Sequence, residues 1–301
     1  MTDQKKEELL ERVRAIMPDL EIQHVERNQE GLMNDILVIN NQYVFRFART
    51  EMSGQNLAIE TQILDLLRPR LSISVPTPVY RSSDTMVYPL LTGHSLSREI
   101  LLGLNEDAQN DLARQLGAFL QDMHTTTASG PDWDLPLTRA PVTRERWLDI
   151  RQRVQERVYP LMLKHQIEWA ESLLDSALDN PEFFEYEPSL IHGDLAPYHI
   201  LCDPMKGKIT GVIDFGVAGM GDPASDFGSL IGVYGESFVA RMQPAYFGLE
   251  ELMPRARFYA QSIELQLVLL GIETGEAFWF AAHLGGARDI QSGRAGDGAD
   301  H

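Results

Sequence analysis

The residues able to do chemistry in this chain cluster between positions 189 and 226. His192-Gly193-Asp194 is followed by His199, five positions after the aspartate, and by Asp214, twenty positions after it, which opens Asp214-Phe215-Gly216. A carboxylate, a second potential ligand and another carboxylate at opposite ends of a hairpin can converge on one magnesium-bearing phosphate chain. Phosphoryl transfer asks a protein for little covalent work. It needs a carboxylate that orients the attacking hydroxyl and accepts its proton, and hard ligands for Mg²⁺. Asp194 suits the first role, and Asp214 the second. Taken alone, a His-Gly-Asp is a turn more often than a catalytic loop, so it is the combination that carries the expectation. His192 is read as holding the loop by hydrogen bonds, because no nucleophile or metal pattern calls for it.

Those residues need a scaffold. Ile200-Leu201 and Ile209 to Ile213 flank a turn at Lys206-Gly207-Lys208, which predicts a hairpin with polar residues at both ends. Upstream, Leu9, Leu10, Val13, Ile16 and Met17 recur at helical intervals and predict an amphipathic helix from Lys5 to Met17, stopped by Pro18. Ile36 to Ile39 and Tyr43 to Phe47 predict a hairpin through Asn40 and Asn41, residues that tolerate positive φ. Val75 to Tyr80 and Met86 to Leu91 predict two further strands, and Gln55 to Leu67 a helix capped by Ser53.

From about Ser95 the pattern is helical: Glu106 to His124, Thr143 to Gln155, Gln166 to Leu178 and most of Asp226 to Ile290, with a fraying tail from Gly293. The expected fold class is α+β with two lobes. A small antiparallel-sheet lobe with one main helix spans residues 1–91, and a larger, mostly helical lobe spans residues 92–301. A ligand would bind between them.

Composition narrows the classes. The 301 residues are 44% apolar, enough for a sizeable core, and the net charge of −18 argues against a nucleic-acid partner and favours a cationic one. One cysteine, Cys202, excludes an intrachain disulfide, and no Cys/His set has zinc spacing. With no apolar leader or membrane-length run, the expectation is a cytoplasmic protein that is neither membrane-bound nor nucleic-acid-binding.

Glu60 shares the apolar face of its helix with Leu57, Ile63, Leu64 and Leu67, so its carboxylate needs a cation. Arg46, alternating with Phe45 and Phe47, is the best candidate. The alternative is an exposed pair. Asp226 opens an apolar helix, either as its N-cap or as a brace for the Asp194 loop.

His192-Gly193-Asp194, His199, Asp214-Phe215-Gly216 and Asp222-Pro223-Ala224-Ser225-Asp226 together resemble the core of the aminoglycoside phosphotransferases, a branch of the protein-kinase-like fold. In most relatives the residue five after the catalytic Asp is Asn. His199 in that place is similar to the aminoglycoside 2″- and macrolide 2′-phosphotransferase subgroups, where a His takes the metal position beside the carboxylate that Asp214 supplies here. The resemblance implies a Mg²⁺-dependent O-phosphotransferase with two metal ions and ATP or GTP as donor. Arg46 stands where relatives usually carry Lys on the α/β-phosphates, paired with Glu60. The stretch Arg27 to Asn34, with Asn28 and Glu30, takes the place of the phosphate-covering loop or is an ordinary turn. Tyr88, Leu90 and Leu91 fall in the interlobe hinge facing the purine, with Ile213 in the same site. Only eleven residues separate Asp214 from Asp226, too few for an activation segment on which a protein substrate docks.

The acceptor expectation rests on carboxylates interleaved with aromatic residues after Asp226. Glu236, Glu264, Tyr234 and Trp279 are the candidates for a polycationic sugar. The expected function is phosphorylation of an aminoglycoside, 2″-type, conferring resistance, by a monomer or weak dimer. The alternatives are a macrolide 2′-phosphotransferase, a kinase of another amino-alcohol or sugar, and a non-catalytic nucleotide-binding protein.

Overall fold

The computed structural model describes residues 3–28, 33–127 and 135–275. In chain order the elements are α1 (Asp3–Ile16), β1 (Val25–Asn28), β2 (Asn34–Ile39), β3 (Tyr43–Ala48), α2 (Glu51–Leu67), β4 (Tyr80–Arg81), β5 (Thr85–Pro89), β6 (His94–Ser95), α3 (Arg98–Gly103) and α4 (Glu106–His124). There follow α5 (Arg144–Arg157), α6 (Lys164–Leu178), β7 (Ser189–Ile191), β8 (Ile200–Asp203), β9 (Lys208–Val212), β10 (Gly219–Gly221), α7 (Ala224–Tyr234), α8 (Glu236–Ala240) and α9 (Leu249–Thr274). The chain divides into two compact units, Met1–Ala140 with Glu187–Ala256, and Pro141–Tyr186 with Arg257–His301. Residues 1–91 lie wholly in the first unit, together with β6 to β10 and every motif from His192 to Asp226.

The first unit is organised by a five-stranded antiparallel sheet, β1-β2-β3-β5-β4. Its register sets Ile36, Arg46 and Met86 opposite one another, and Leu37, Phe45 and Val87 likewise. Side chains alternate along a strand, so the two sets occupy opposite faces. α1 covers the face of Leu37, Ile39, Phe45, Phe47 and Val87 with Leu9, Leu10 and Val13, all buried. α2 lies on the other face, where the Thr61 hydroxyl points at Met86 Sδ, 3.5 Å away, and Glu60 at Arg46. One residue of register slip would send Arg46 into the α1 core. The β2–β3 turn uses Asn40 and Asn41 at φ 55° and 53°, the left-handed region that asparagine tolerates.

Three expectations need correction. α2 begins at Glu51 with Thr50 as its cap: Thr50 Oγ1 accepts from the Ser53 amide at 3.2 Å, and Ser53 Oγ accepts from the Thr50 amide at 2.8 Å. Ser53 is the reciprocal partner in a capping box, not the cap. The strand expected over Val75 to Tyr80 shrinks to Tyr80–Arg81, because Pro76 and Pro78 lack the N–H groups a ladder needs. Arg27 and Asn28, expected in a loop, end the edge strand β1, which pairs with β2 from Val25↔Ile39 to Asn28↔Ile36.

The remaining strands of the first unit form β6-β8-β9 and β10-β7, the β8–β9 turn passing through Gly207 at φ 56°. The predicted helical stretch after Asp226 is broken at Gly235 and Gly248, both at positive φ. Its continuation past residue 275 and the expected fraying tail lie outside the described residues. The second unit packs α5, α6 and the 257–274 part of α9 around buried Trp147, whose ring lies 4.8 Å from Phe258 and 6.3 Å from Tyr259. Among the described residues no helix is long and apolar enough to cross a membrane.

Candidate active site

The loop between β7 and β8 carries His192 to His199 and is pinned from below by Asp226. Asp226 Oδ2 accepts from the His192 amide at 2.9 Å, and Oδ1 from the Gly193 amide at 2.8 Å. Pro223 occupies the N-cap of α7, so Asp226 braces the loop from inside the first turn. His192 donates through Nε2 to the Ile213 carbonyl at 3.1 Å and accepts the Asp194 amide on Nδ1 at 3.3 Å, tying the loop to the end of β9. Burial holds its pKa below the ordinary histidine value, consistent with a neutral ring that both donates and accepts.

Asp226 is fully buried. Burial opposes its charge, but the His124 hydrogen bond and the His192 amide outweigh this and hold its pKa below the ordinary carboxylate value. His124, at the end of α4, donates to Asp226 Oδ2 at 3.1 Å, and its Nδ1 meets the Tyr246 hydroxyl at 2.9 Å. A group whose folded pKa is depressed contributes stability in full above its unfolded pKa and loses it as pH falls through the folded value. Melting temperature should therefore drop on acidification through and below the usual carboxylate range, and Asp226→Asn should flatten that drop. At pH 7 the same substitution should cost about 3 kcal/mol or more, since it turns an amide N–H towards groups that need an acceptor. Thermal melts of both proteins from pH 7 to pH 3 check this.

Above the brace, Asp194, His199 and Asp214 come together. His199 Nδ1 lies 2.8 Å from the Asp194 backbone carbonyl and 3.9 Å from Asp194 Oδ2. A carbonyl oxygen only accepts, so Nδ1 carries a hydrogen, and Nε2 is the ring nitrogen that faces Asp214 Oδ2, 3.5 Å away. An imidazole nitrogen and a carboxylate oxygen held face to face can share a divalent cation in place of a proton. Among the described residues no three or more His, Cys, Asp and Glu form a metal cage. Such an ion would thus fill its shell with oxygens of a phosphate ligand and water. Asp214 sits at φ 65°, a strained conformation for a non-glycine residue, of the kind concentrated at functional sites. Burial opposes its charge, but Arg46 above all, together with the Gly216 amide, holds its pKa below the ordinary value.

The opposite wall comes from the sheet and α2. Arg46 Nη1 donates to Glu60 Oε1 at 2.5 Å, and Nη2 lies 3.5 Å from Asp214 Oδ1; the Arg46 and Glu60 side chains are 6% and 1% exposed. Burial works against the Arg46 charge, but Glu60, Tyr88 and Asp214 raise its pKa further above the ordinary value. Burial pushes Glu60 upward and Arg46 opposes that shift. The pair is buried, as the apolar flanks of Glu60 implied, and it ties β3 and α2 to the Asp214 segment.

Between the walls lies a cavity of about 290 Å³, lined by Asn34, Arg46, Asn56 and Glu60 on one side and by Asp194, His199 and Asp214 on the other. Asn34 Oδ1, Asn56 Nδ2 and Arg46 Nε are buried without a hydrogen-bond partner among the described residues. Orphaned polar atoms around one cavity fit a polar ligand.

The other candidates are distributed as follows. Asn28 pairs with Ile36 at the end of β1, and Glu30 lies outside the described residues. The Tyr88 side chain is buried beside Arg46, on the sheet face shared with it. The Leu90 amide is spent on the Gln42 carbonyl at 2.8 Å, and Leu91 packs over Gly211. Ile213 bonds through its amide to the His199 carbonyl at 2.9 Å and through its carbonyl to His192, so it sets the position of Asp214.

Of the acceptor set, Tyr234 does not line the cavity. Its hydroxyl donates to the Leu96 carbonyl and its ring packs 5.2 Å from Phe238. Glu236 is exposed at the start of α8 and is likewise not a lining residue. Glu264 is half-buried on the part of α9 that belongs to the second unit, and Trp279 lies outside the described residues. Reading the sequence passed over His124, Tyr198 and Arg139, the last two of which line the cavity. His124 carries a signal only in hindsight, as a lone histidine ending an apolar helix face.

A carboxylate facing solvent, a cation site beside it and a buried guanidinium over a polar cavity define a kinase-type phosphotransferase. The chain belongs to the phosphotransferase enzyme family (APH), whose profile matches residues 7–259. It is 26% identical over 223 residues to viomycin phosphotransferase of Streptomyces vinaceus, covering 71% of this chain and 75% of that one. The structure is similar to the GDP complex of aminoglycoside 2′-phosphotransferase-IIIa, with TM-score 0.82, 26% identity and 93% and 96% of the two chains covered. It is also similar to a GDP and kanamycin complex of an APH(2″) enzyme, with TM-score 0.80, 26% identity and 92% and 96% covered. Macrolide 2′-phosphotransferase type I shares the fold at TM-score 0.72, with 20% identity and 97% and 99% covered. The fold is the α+β, protein-kinase-like fold of these enzymes.

Proposed function

We propose that this protein transfers the γ-phosphate of ATP or GTP, with Mg²⁺, to a hydroxyl of an aminoglycoside of the 2″ type, and so confers resistance. The observation that carries the reading is the convergence of Asp194, His199 and Asp214 on one side of a cavity whose other side is Arg46. Asp194, with its side chain half-exposed, orients the acceptor hydroxyl and takes its proton. His199 Nε2 and Asp214 would hold the metal, which supplies charge neutralisation on the phosphates when bound. Arg46 holds the α/β-phosphates from the sheet side, with Glu60 fixing its guanidinium. The similarity to an enzyme solved with GDP and kanamycin supports both a nucleotide and a cationic acceptor, and the net charge of −18 favours the latter. The cytoplasmic, monomeric or weakly dimeric state belongs to the same proposal.

The relative named for viomycin motivates a second reading, in which the acceptor is viomycin or a compound like it. One assay separates these. Phosphorylation of kanamycin, erythromycin and viomycin is followed side by side with ATP and with GTP. The expected result is kanamycin turnover that exceeds the others at least tenfold and vanishes on chelation of divalent metal. Turnover of viomycin or erythromycin alone would replace the acceptor, and metal-independent turnover would remove the cation from the reading.

A further inference from the structure

Arg139 lines the same cavity as Asp194, His199 and Asp214, yet belongs to none of the motifs above. It is carried by residues 135–140, an irregular strap laid along the chain that follows Asp214-Phe215-Gly216. The strap is closely registered. The Thr138 amide donates to the Met220 carbonyl at 2.9 Å, the Met220 amide to the Pro136 carbonyl at 2.9 Å, and the Arg139 amide to the Val217 carbonyl at 3.3 Å. The Thr138 hydroxyl donates to the same Val217 carbonyl at 2.7 Å, and Leu137 bridges Met220 in parallel. Glycines make the approach possible: a Cβ on Gly219 would lie 2.7 Å from both the Pro136 oxygen and the Thr138 nitrogen.

All this fixes an exposed arginine at the rim of the cavity. Its Nη2 donates to the Gly216 carbonyl, a neutral acceptor; among the described residues no carboxylate pairs with the guanidinium, and the fork keeps further N–H donors. Gly216 is itself against the reactive groups. Its amide donates to Asp214 Oδ1 at 3.3 Å, and a Cβ built on it would lie 3.8 Å from Arg46 Nη2. Arg139 therefore stands on the Asp214 side of the cavity. Arg46 is already engaged by Glu60 at the base.

We propose that Arg139 is a further catalytic residue, whose guanidinium holds the phosphoryl group as it passes to the acceptor hydroxyl. This rests on the kinase reading. In the transfer the acceptor oxygen bonds to phosphorus and the bond from that phosphorus to the bridging oxygen breaks. The electron pair leaves on the nucleoside diphosphate, and the hydroxyl proton goes to Asp194. Charge spread over the three equatorial oxygens matches a planar fork of N–H donors better than a point charge does. A cation at the rim of a site for a cationic acceptor is otherwise unfavourable; pairing with the phosphoryl group explains its presence.

The test measures kcat on kanamycin and acceptor-free nucleotide hydrolysis for wild type, Arg139→Ala and Arg139→Lys. Arg139→Ala should lower both rates by the same factor, about 100-fold or more, with the nucleotide KM within about threefold. Added guanidinium ion should restore part of both rates, and Arg139→Lys should fall between. A residue that only pins the Gly216 carbonyl would change the melting temperature and give no response to guanidinium. Full activity in Arg139→Ala, or loss that guanidinium does not restore, overturns this inference and leaves the kinase reading standing. A wild-type protein that transfers nothing to any acceptor and hydrolyses nothing overturns the reading and the inference with it.

Discussion

Asp194→Asn should reduce kcat for acceptor phosphorylation by about 10³-fold or more while leaving the nucleotide dissociation constant within about threefold of wild type. The carboxamide keeps the shape and the loop contacts, because the Asp194 groups that hold the loop are its amide, bonded to His192, and its carbonyl, bonded to His199. What it loses is the ability to accept a proton. Arg46 and Asp214, to which the proposed function gives the donor phosphates and the metal, are untouched, so nucleotide binding should survive. Steady-state kinetics together with calorimetric titration of nucleotide separate the two effects. A variant within tenfold of wild-type kcat would remove Asp194 from the role of base and leave the transfer without one.

The second large effect is at the buried ion pair. Glu60→Ala leaves the Arg46 guanidinium 6% exposed with Asp214 at 3.5 Å as its remaining carboxylate, and should cost about 3–5 kcal/mol of stability. It should also raise the nucleotide KM, because the guanidinium is freed to swing onto Asp214. Replacing both partners with apolar side chains, Arg46→Met with Glu60→Leu, should recover most of the stability and none of the activity, since a buried pair costs desolvation that an apolar pair does not. Denaturant unfolding of wild type and the two variants checks this. If the single variant proves as stable as wild type, the pair does not hold the sheet and α2 together.

Much of the positioning apparatus was legible because it is periodic or local. Arg46 between Phe45 and Phe47 could only point away from their face, and Glu60 among leucines needed a cation, so the pair followed from two periodicities. Asn40 and Asn41 announced their positive φ by type. What escaped was set by tertiary contact. β1 is polar in three of its four residues and exists because it pairs with β2. Thr50 and Ser53 are equivalent as caps by type, and the reciprocal bond alone decides between them. Asp226 could cap its own helix or brace the loop; only the approach of the His192 and Gly193 amides settles it, along with His124, 102 positions earlier in the chain. The acceptor candidates were the least constrained, since alternating acids and aromatics describe many surface helices; Tyr234 spends its hydroxyl on Leu96.

The central claim is that His199 and Asp214 share a divalent ion on the phosphate chain. Replacing Mg²⁺ with paramagnetic Mn²⁺ in the nucleotide complex and recording pulsed electron paramagnetic resonance reads the ligands directly. A ¹⁴N coupling of an imidazole nitrogen bound to manganese should be present in the wild type and absent in His199→Ala. A nucleotide-bound manganese spectrum with no nitrogen coupling, or one unchanged by His199→Ala, would contradict it.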